Sequence, residues 1–288
     1  MTGQTVAILG LGLIGGSLGL ALKRSASPPV VVGWDRDAAT LALAHRSGAV
    51  DYAAGDLTEA VANAELVVAA VPVLAVREIF AAIAAALPRH AVVTDVASTK
   101  VAACGWAAEL LPAAFVGGHP MAGSERSGIA NARADLFAGA TYCLTPEATT
   151  PPSAVTRVTT LVEAVAARPH LLSPAAHDRA VAAVSHLPFL LSTALVDVTA
   201  RSPEWELFRS VAATGFRDVS RLASGDPRMH RDICLTNAAE IRPWLIETAR
   251  ELEALAAELD DEAALQRRFE IAKAIRDALI ERDGEPPI

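Results

Sequence analysis

The feature that most limits how this chain can fold is its opening, TVAILGLGLIGGSLGLAL over residues 5–22. An apolar β-run, Thr5–Gly10, leads into glycines at 10, 12 and 15, and a helical pattern follows. In that spacing the first glycine permits a tight turn and the second lets backbone approach a pyrophosphate. The third lets the helix pack on the strand. The helix N-terminus then offers unpaired N–H groups to phosphates. A bare glycine triplet also occurs in other α/β turns. Here a second β-run, Val30–Asp35, ends in an acid 20 residues after Gly15, where a carboxylate can accept from ribose hydroxyls. The opening therefore reads as a dinucleotide-binding strand–loop–helix–strand unit. Its expected contacts are Gly10, Gly12, Leu13, Ile14, Gly15 and Asp35. Asp35 favours NAD, because its charge repels a 2′-phosphate. Arg36 beside it could pair with that phosphate, which keeps NADP as the alternative.

Further β-runs fall at Leu66–Val71, Ala91–Asp95, Phe115–Gly118 and Thr141–Thr145, with helical patterns between most of them. Continuous β-branched runs separated by helices predict a parallel sheet buried on both faces. Val71 and Pro72 close the third run and line the adenine-to-nicotinamide path, or simply end the strand. After the punctuation at Thr149–Ser153 come one more helix and a short run, His170–Leu172. From Pro174 the strand pattern stops. Alanine- and leucine-rich helical patterns cover about 175–200, 203–213, 228–257 and 261–282, with Pro243 expected to kink or divide the third. Asp260 and Asp261 look like a cap before the last helix. The expected architecture is α/β. A Rossmann-type doubly wound parallel sheet domain (1–173) precedes an all-helical domain (174–288).

Bulk properties narrow the function classes. A net charge of −8 argues against a nucleic-acid footprint, which would want a basic patch. It also means that an anionic substrate needs local cations. Three scattered cysteines without a CxxC pair fit a reducing compartment. No 18-residue apolar run is free of polar or proline interruptions, and no signal core opens the chain, so a cytoplasmic protein without a membrane span is expected.

In an open parallel sheet, ligands sit beyond the carboxyl ends of the strands. Asp95-Val-Ala-Ser98-Thr99-Lys100 follows the fourth run and Gly117-Gly-His119-Pro-Met-Ala-Gly123-Ser-Glu125 the fifth. Ser98 and His119 could meet there as an acid/base pair, imidazole being the natural proton acceptor near neutral pH. The bland readings are a helix N-cap for Ser98 and a structural histidine for His119.

These residues also resemble a family, the prephenate/arogenate dehydrogenases of tyrosine biosynthesis. The resemblance runs over essentially the whole chain. It rests on GLGLIGGS (10–17), DVASTK (95–100), GGHPMAGSE (117–125), HDRAVAAVSHLP (177–188) and TGFRDVSRLASGDPRMHRDI (214–233), in order. It implies NAD-dependent oxidative decarboxylation of prephenate to 4-hydroxyphenylpyruvate and CO₂. Arogenate, or both substrates, is the alternative. His119 would accept the ring hydroxyl proton, hydride would leave the same carbon for the nicotinamide, and loss of CO₂ would aromatise the ring. Ser98 would fix the geometry of hydroxyl, nicotinamide and His119. Arg221, with Arg217, would grip the carboxylate. His186 and His230 would lie near the substrate and Glu125 would gate the pocket, while Asp218 would orient the arginines. His177 and Asp178 are read as holding the first helix of the second half rather than touching substrate. The helical half would build a homodimer, as its many apolar faces also suggest.

Two positions depart from common family residues: Phe189 stands where many members have His, and His230 where many have Trp. Both lie near the substrate side chain in the family, so they bear on prephenate against arogenate and on inhibition by tyrosine. No room is expected for an appended regulatory domain or chorismate mutase. Two competing classes remain. A β-hydroxyacid dehydrogenase or imine reductase would usually place a lysine on the first long interdomain helix, and no lysine occurs between Lys100 and Lys273. A non-catalytic nucleotide sensor would not need Ser98, His119 and Arg221 together.

Overall fold

The apolar runs form eight strands: β1 (Thr5–Leu9), β2 (Val30–Trp34), β3 (Tyr52–Ala53), β4 (Leu66–Ala69), β5 (Val92–Asp95), β6 (Ala114–Pro120), β7 (Thr141–Thr145) and β8 (Arg168–Leu171). In the computed structural model, which describes Met1, residues 3–124 and residues 126–283 (side chains through 279), they join one sheet in the order β3-β2-β1-β4-β5-β6-β7-β8. The chain starts in the middle and winds outward both ways, as doubly wound sheets do. Every pair is parallel except β6 with β7. That reversal departs from the all-parallel expectation. The described part of the connection, between 121 and 140, holds a 3₁₀ turn (Ile129–Asn131) but no α-helix to carry a parallel crossover. The two-residue β3, exposed at the edge, has too short a run to show in the sequence.

Helices α1 (Leu13–Arg24), α2 (Ala38–Arg46), α3 (Leu57–Val61), α4 (Val73–Ile83), α5 (Val101–Leu110) and α6 (Pro152–Ala164) cover the sheet. Side chains alternate across a strand, so the two faces feed two cores. One gathers Ile8, Leu18, Leu22, Val68, Val158 and Leu161. The other gathers Ala7, Leu9, Val67, Val76 and Phe80. β1, β4 and β5 are buried almost throughout, which explains why they read as unbroken apolar runs.

The helical part begins with α7 (Pro174–Val181), a π-helical turn (Ala182–His186) and α8 (Leu187–Ala200). The expected single helix over 175–200 is thus interrupted. Pro188 brings no N–H, and just before it the Leu187 N–H reaches back five residues to the Ala182 carbonyl. Then come α9 (Trp205–Val211), α10 (Thr214–Ser220), a 3₁₀ turn (Arg221–Ser224), α11 (Pro227–Thr236), α12 (Ala238–Ala257) and α13 (Glu262–Asp283). Pro243 does not divide the third pattern: it lies inside α12, and the break falls at Asn237. The Asn237 backbone leaves the helical region while its side chain donates to the Asp178 carbonyl (2.9 Å). Asp261 does cap the last helix, accepting from the Ala264 N–H (2.9 Å).

The chain divides into two compact units, Met1–Ile241 and the part from Arg242 onward. In the first, a small core of Ala182, Phe189, Ile233 and Ile241 holds the helices after β8. In the second, Arg268 binds Glu258 (2.8 and 2.9 Å) and pairs with Glu251. One helical run, Pro174–Ala200, is long and apolar enough by composition to cross a bilayer. Yet His177, Asp178, His186 and Ser192 on it are buried and polar, and Asp178 bonds directly to α5.

Candidate active site

The glycine loop has the geometry its spacing requires. Gly10 has φ +95°, a conformation that side chains rarely adopt. A Cβ on Gly15 would stand 1.9 Å from the Gly10 carbonyl oxygen, so α1 can sit this close to β1 only with glycine there. Around Gly12 the space is open, and α1 begins there with no side chain capping its first N–H groups. An uncapped helix end facing open space fits a pyrophosphate. Asp35, just past β2, accepts from the Leu11 N–H (2.8 Å) and the Asp37 N–H (2.9 Å), which fixes its carboxylate beside the loop. Arg36 is exposed next to it, Leu13, Ile14 and Val71 are half-buried, and Pro72 caps α4.

Beyond β5 and β6 lies a buried polar cluster that the sequence did not reveal. Lys100, wholly buried, pairs with the equally buried Asp95 and donates to the Gly118 carbonyl (2.6 Å). Asp95 also accepts from the N–H groups of Gly118 (3.0 Å) and Ala97 (3.0 Å). Buried charges need such pairing to offset desolvation. Gly118 is required here, because a Cβ on it would come within 2.5 Å of the Asp95 carbonyl oxygen. The next residue, His119, is thereby fixed at the carboxyl end of β6 and is buried. Burial first, and then the neighbouring basic groups His177, Lys100 and His186, which disfavour a further positive charge beside them, hold its ring well below the usual histidine range. It is therefore neutral near pH 7, as a proton acceptor must be.

His119 Nδ1 lies 2.9 Å from His177 Nε2, and His177 Nδ1 lies 2.8 Å from an Asp178 carboxylate oxygen. Asp178 in turn accepts from the Lys100 N–H (2.7 Å) and the Val101 N–H (2.9 Å). It is thus Asp178, 78 residues along the chain, that caps α5. Ser98 does not: the cap position is Lys100, whose side chain turns to Asp95 and Gly118 and makes no capping bond, and Ser98 remains half-buried in the loop before it. His177 and Asp178 do anchor α7, as expected, but they also reach His119 itself.

Comparisons with known proteins give the chain a family. Residues 18–171 match the model for the prephenate dehydrogenase nucleotide-binding domain, and residues 173–271 that for the prephenate dehydrogenase dimerization domain. This chain belongs to the prephenate dehydrogenase family. It is 36% identical to prephenate dehydrogenase of Bacillus subtilis (strain 168) over 282 residues, 96% of this chain and 76% of that protein. It also resembles the crystal structure of prephenate dehydrogenase from A. aeolicus in complex with hydroxyphenyl propionate and NAD+ (TM-score 0.86, 30% identity, 98% of each chain). It is similar as well to Synechocystis arogenate dehydrogenase (TM-score 0.81, 31% identity, 96% of this chain and 100% of that one).

Most of the other residues that the sequence pointed to sit on the helical part after β8. His186, at the end of the π turn, is buried and faces the Asn237 amide through Nδ1 (3.2 Å). Its Nε2 has no hydrogen-bond partner among the described residues, although the Ser98 backbone adjoins the ring. Burial pushes His186 down to about 4. Phe189, one helical turn on, stacks flat on His230, with ring centres 4.1 Å apart and planes 4° from parallel. A Cβ on Gly225 would stand 2.5 Å from that imidazole, so the glycine of Ser-Gly-Asp-Pro makes room for it. Burial lowers the His230 ring as well. Arg221 opens a 3₁₀ turn tied to α8, because Ala223 N–H donates to the Ser192 hydroxyl (3.0 Å) and Leu222 packs against the small core. Arg217 and Asp218 are exposed on α10. Glu125 lies outside the described residues. No group of three or more His, Cys, Asp or Glu able to hold a metal occurs among the described residues.

Proposed function

We propose that this chain oxidises and decarboxylates prephenate to 4-hydroxyphenylpyruvate, with arogenate as the competing substrate, and that it uses NAD rather than NADP. The observation that carries the reading is His119: a buried imidazole held neutral at the end of β6, in the same unit as a dinucleotide-fitting loop. In this reading Gly10, Gly12, Leu13, Ile14 and Gly15 hold the phosphates, Asp35 the ribose, and Val71 and Pro72 flank the path between the two ends of the cofactor. Bound there, the nicotinamide supplies the hydride acceptor. His119 takes the proton of the ring hydroxyl, which raises electron density at the carbon that is oxidised. Ser98 orients that hydroxyl. Arg221, assisted by Arg217, binds carboxylate with paired N–H groups, supplying the cations that an acidic chain otherwise lacks. His186 and the Phe189–His230 stack border the substrate side chain, and Glu125 gates the site.

Residues 1–173 form the cofactor domain in this proposal, and 174–288 the substrate and dimerisation domain of a cytoplasmic homodimer. Exposed Val184, Val198, Leu207, Val211 and Leu235 support a covering partner surface on the helices. The test is NADH or NADPH formation from purified prephenate and arogenate, each offered with NAD and with NADP. Turnover of prephenate with NAD is the expected leading activity; turnover of neither substrate would overturn the reading.

A further inference from the structure

The His119–His177–Asp178 chain has a chemical direction. We infer that Asp178 and His177 are positioning residues that fix the tautomer of His119, placing its proton on Nδ1 and its lone pair on Nε2. The inference rests on the proposed role of His119 as base and adds how that role is set.

The logic runs from the far end. Asp178 already accepts from two backbone N–H groups at the start of α5. Negative charge is favoured at a helix N-terminus, and an ionised carboxylate has lone pairs but no proton to give. The 2.8 Å contact with His177 therefore places the hydrogen on His177 Nδ1. A neutral imidazole carries one N–H, so His177 Nε2 is left as an acceptor. Its only way to bond His119 at 2.9 Å is to receive the His119 Nδ1 hydrogen. His119 Nε2 is then the one ring nitrogen free to accept the proton of a substrate hydroxyl. When it does, His119 becomes an imidazolium carrying hydrogens on both nitrogens. Its Nδ1–H keeps donating to His177, and the Asp178 charge two links away offsets the new positive charge. Nothing else at the site has to move, because α5, β6 and α7 are already joined through Lys100, Asp95 and Asp178.

The direct measurement is nitrogen-15 NMR of histidine-labelled wild-type protein, with His119 assigned by loss of its signals in His119→Asn. A protonated Nδ1 and an unprotonated Nε2 are expected; a hydrogen on Nε2 would overturn the inference. This result needs no substrate. If neither prephenate nor arogenate is turned over, the functional reading falls while the tautomer result still stands by itself.

The kinetic arm uses variants that change the proton's address. Asn at 178 can donate to His177 and so reverse the chain. Asp178→Asn should lower kcat about a hundredfold while KM and NAD affinity stay within about twofold. His177→Gln, whose amide oxygen can still accept from His119, should stay within about tenfold of wild type, whereas His177→Leu should fall as far as Asp178→Asn. Equal losses in Gln and Leu, or an unchanged kcat in Asp178→Asn, would overturn the inference. Should these variants fail to fold, the wild-type NMR decides.

Discussion

The sheet and the helices after it solve different problems. Strands β1, β4 and β5 bury nearly every residue, and the six helices on the sheet close both of its cores. Among the described residues, the later helices share a small core of four buried residues and leave large apolar side chains such as Val198, Leu207 and Val211 in the open. The sheet is covered on both faces, whereas the helices leave apolar faces exposed. In the proposed mechanism the chemistry divides along the same line. There the base lies in the sheet and the carboxylate-binding arginines on the helices, and α7 ties the helices to the sheet through its bonds to His119 and α5.

The contrast can be broken at four points. The largest effect belongs to the sheet: His119→Asn should lower kcat about a thousandfold while NAD binding, measured calorimetrically, stays near wild type. Surviving turnover would move the base elsewhere. Next is the core. Phe80→Ala should cost about 3–5 kcal/mol of stability. Val198→Ser should leave thermal stability within about 0.5 kcal/mol at high protein concentration, as surface changes do, but weaken self-association seen by sedimentation. Equal thermal losses from both would erase the distinction between the two regions. Third, Arg221→Ala should raise KM roughly tenfold to a hundredfold, through lost charged hydrogen bonds of about 1.5–3 kcal/mol, with kcat little changed. A fall in kcat alone would put Arg221 on the chemical side of the divide.

The smallest effect is in pH. His119 is held well below the ordinary histidine range, so kcat/KM should stay flat on acidification through about pH 6.5 and fall only well below it. A half-fall near 6.5 would mean that the ring is not desolvated. His186 titrates near 4 in the fold and near 6.5 when unfolded, so the unfolded chain binds more protons between those values. Stability should therefore hold above pH 6.5 and decline as pH falls toward 4, measured by denaturant midpoints.

What could be read from the sequence follows from how local each cause is. The glycine loop, Asp35 and the strand–helix alternation are set by neighbours within about 30 residues, and the structure has them as the pattern implies. Asp178 capping α5 is not local: nothing near Lys100 in the sequence announces a carboxylate 78 residues away. Ser98 looked like a cap because a serine before a helix usually is one. The Lys100–Asp95 pair was hidden for a similar reason, since a lysine's burial is decided by partners on other strands. The antiparallel β7 and the π turn before Pro188 alter register or direction without altering composition, so periodicity passes over them.

Lys100 also gives the molecule a built-in reporter. The chain has three lysines, and Lys23 and Lys273 offer amines that reagents can reach, while Lys100 is sealed. An acylating label applied to the native protein should mark those two and the amino terminus within minutes, and Lys100 only as fast as the ends of β5 and β6 come apart. Mass spectrometry of that single peptide would clock the opening of the site directly.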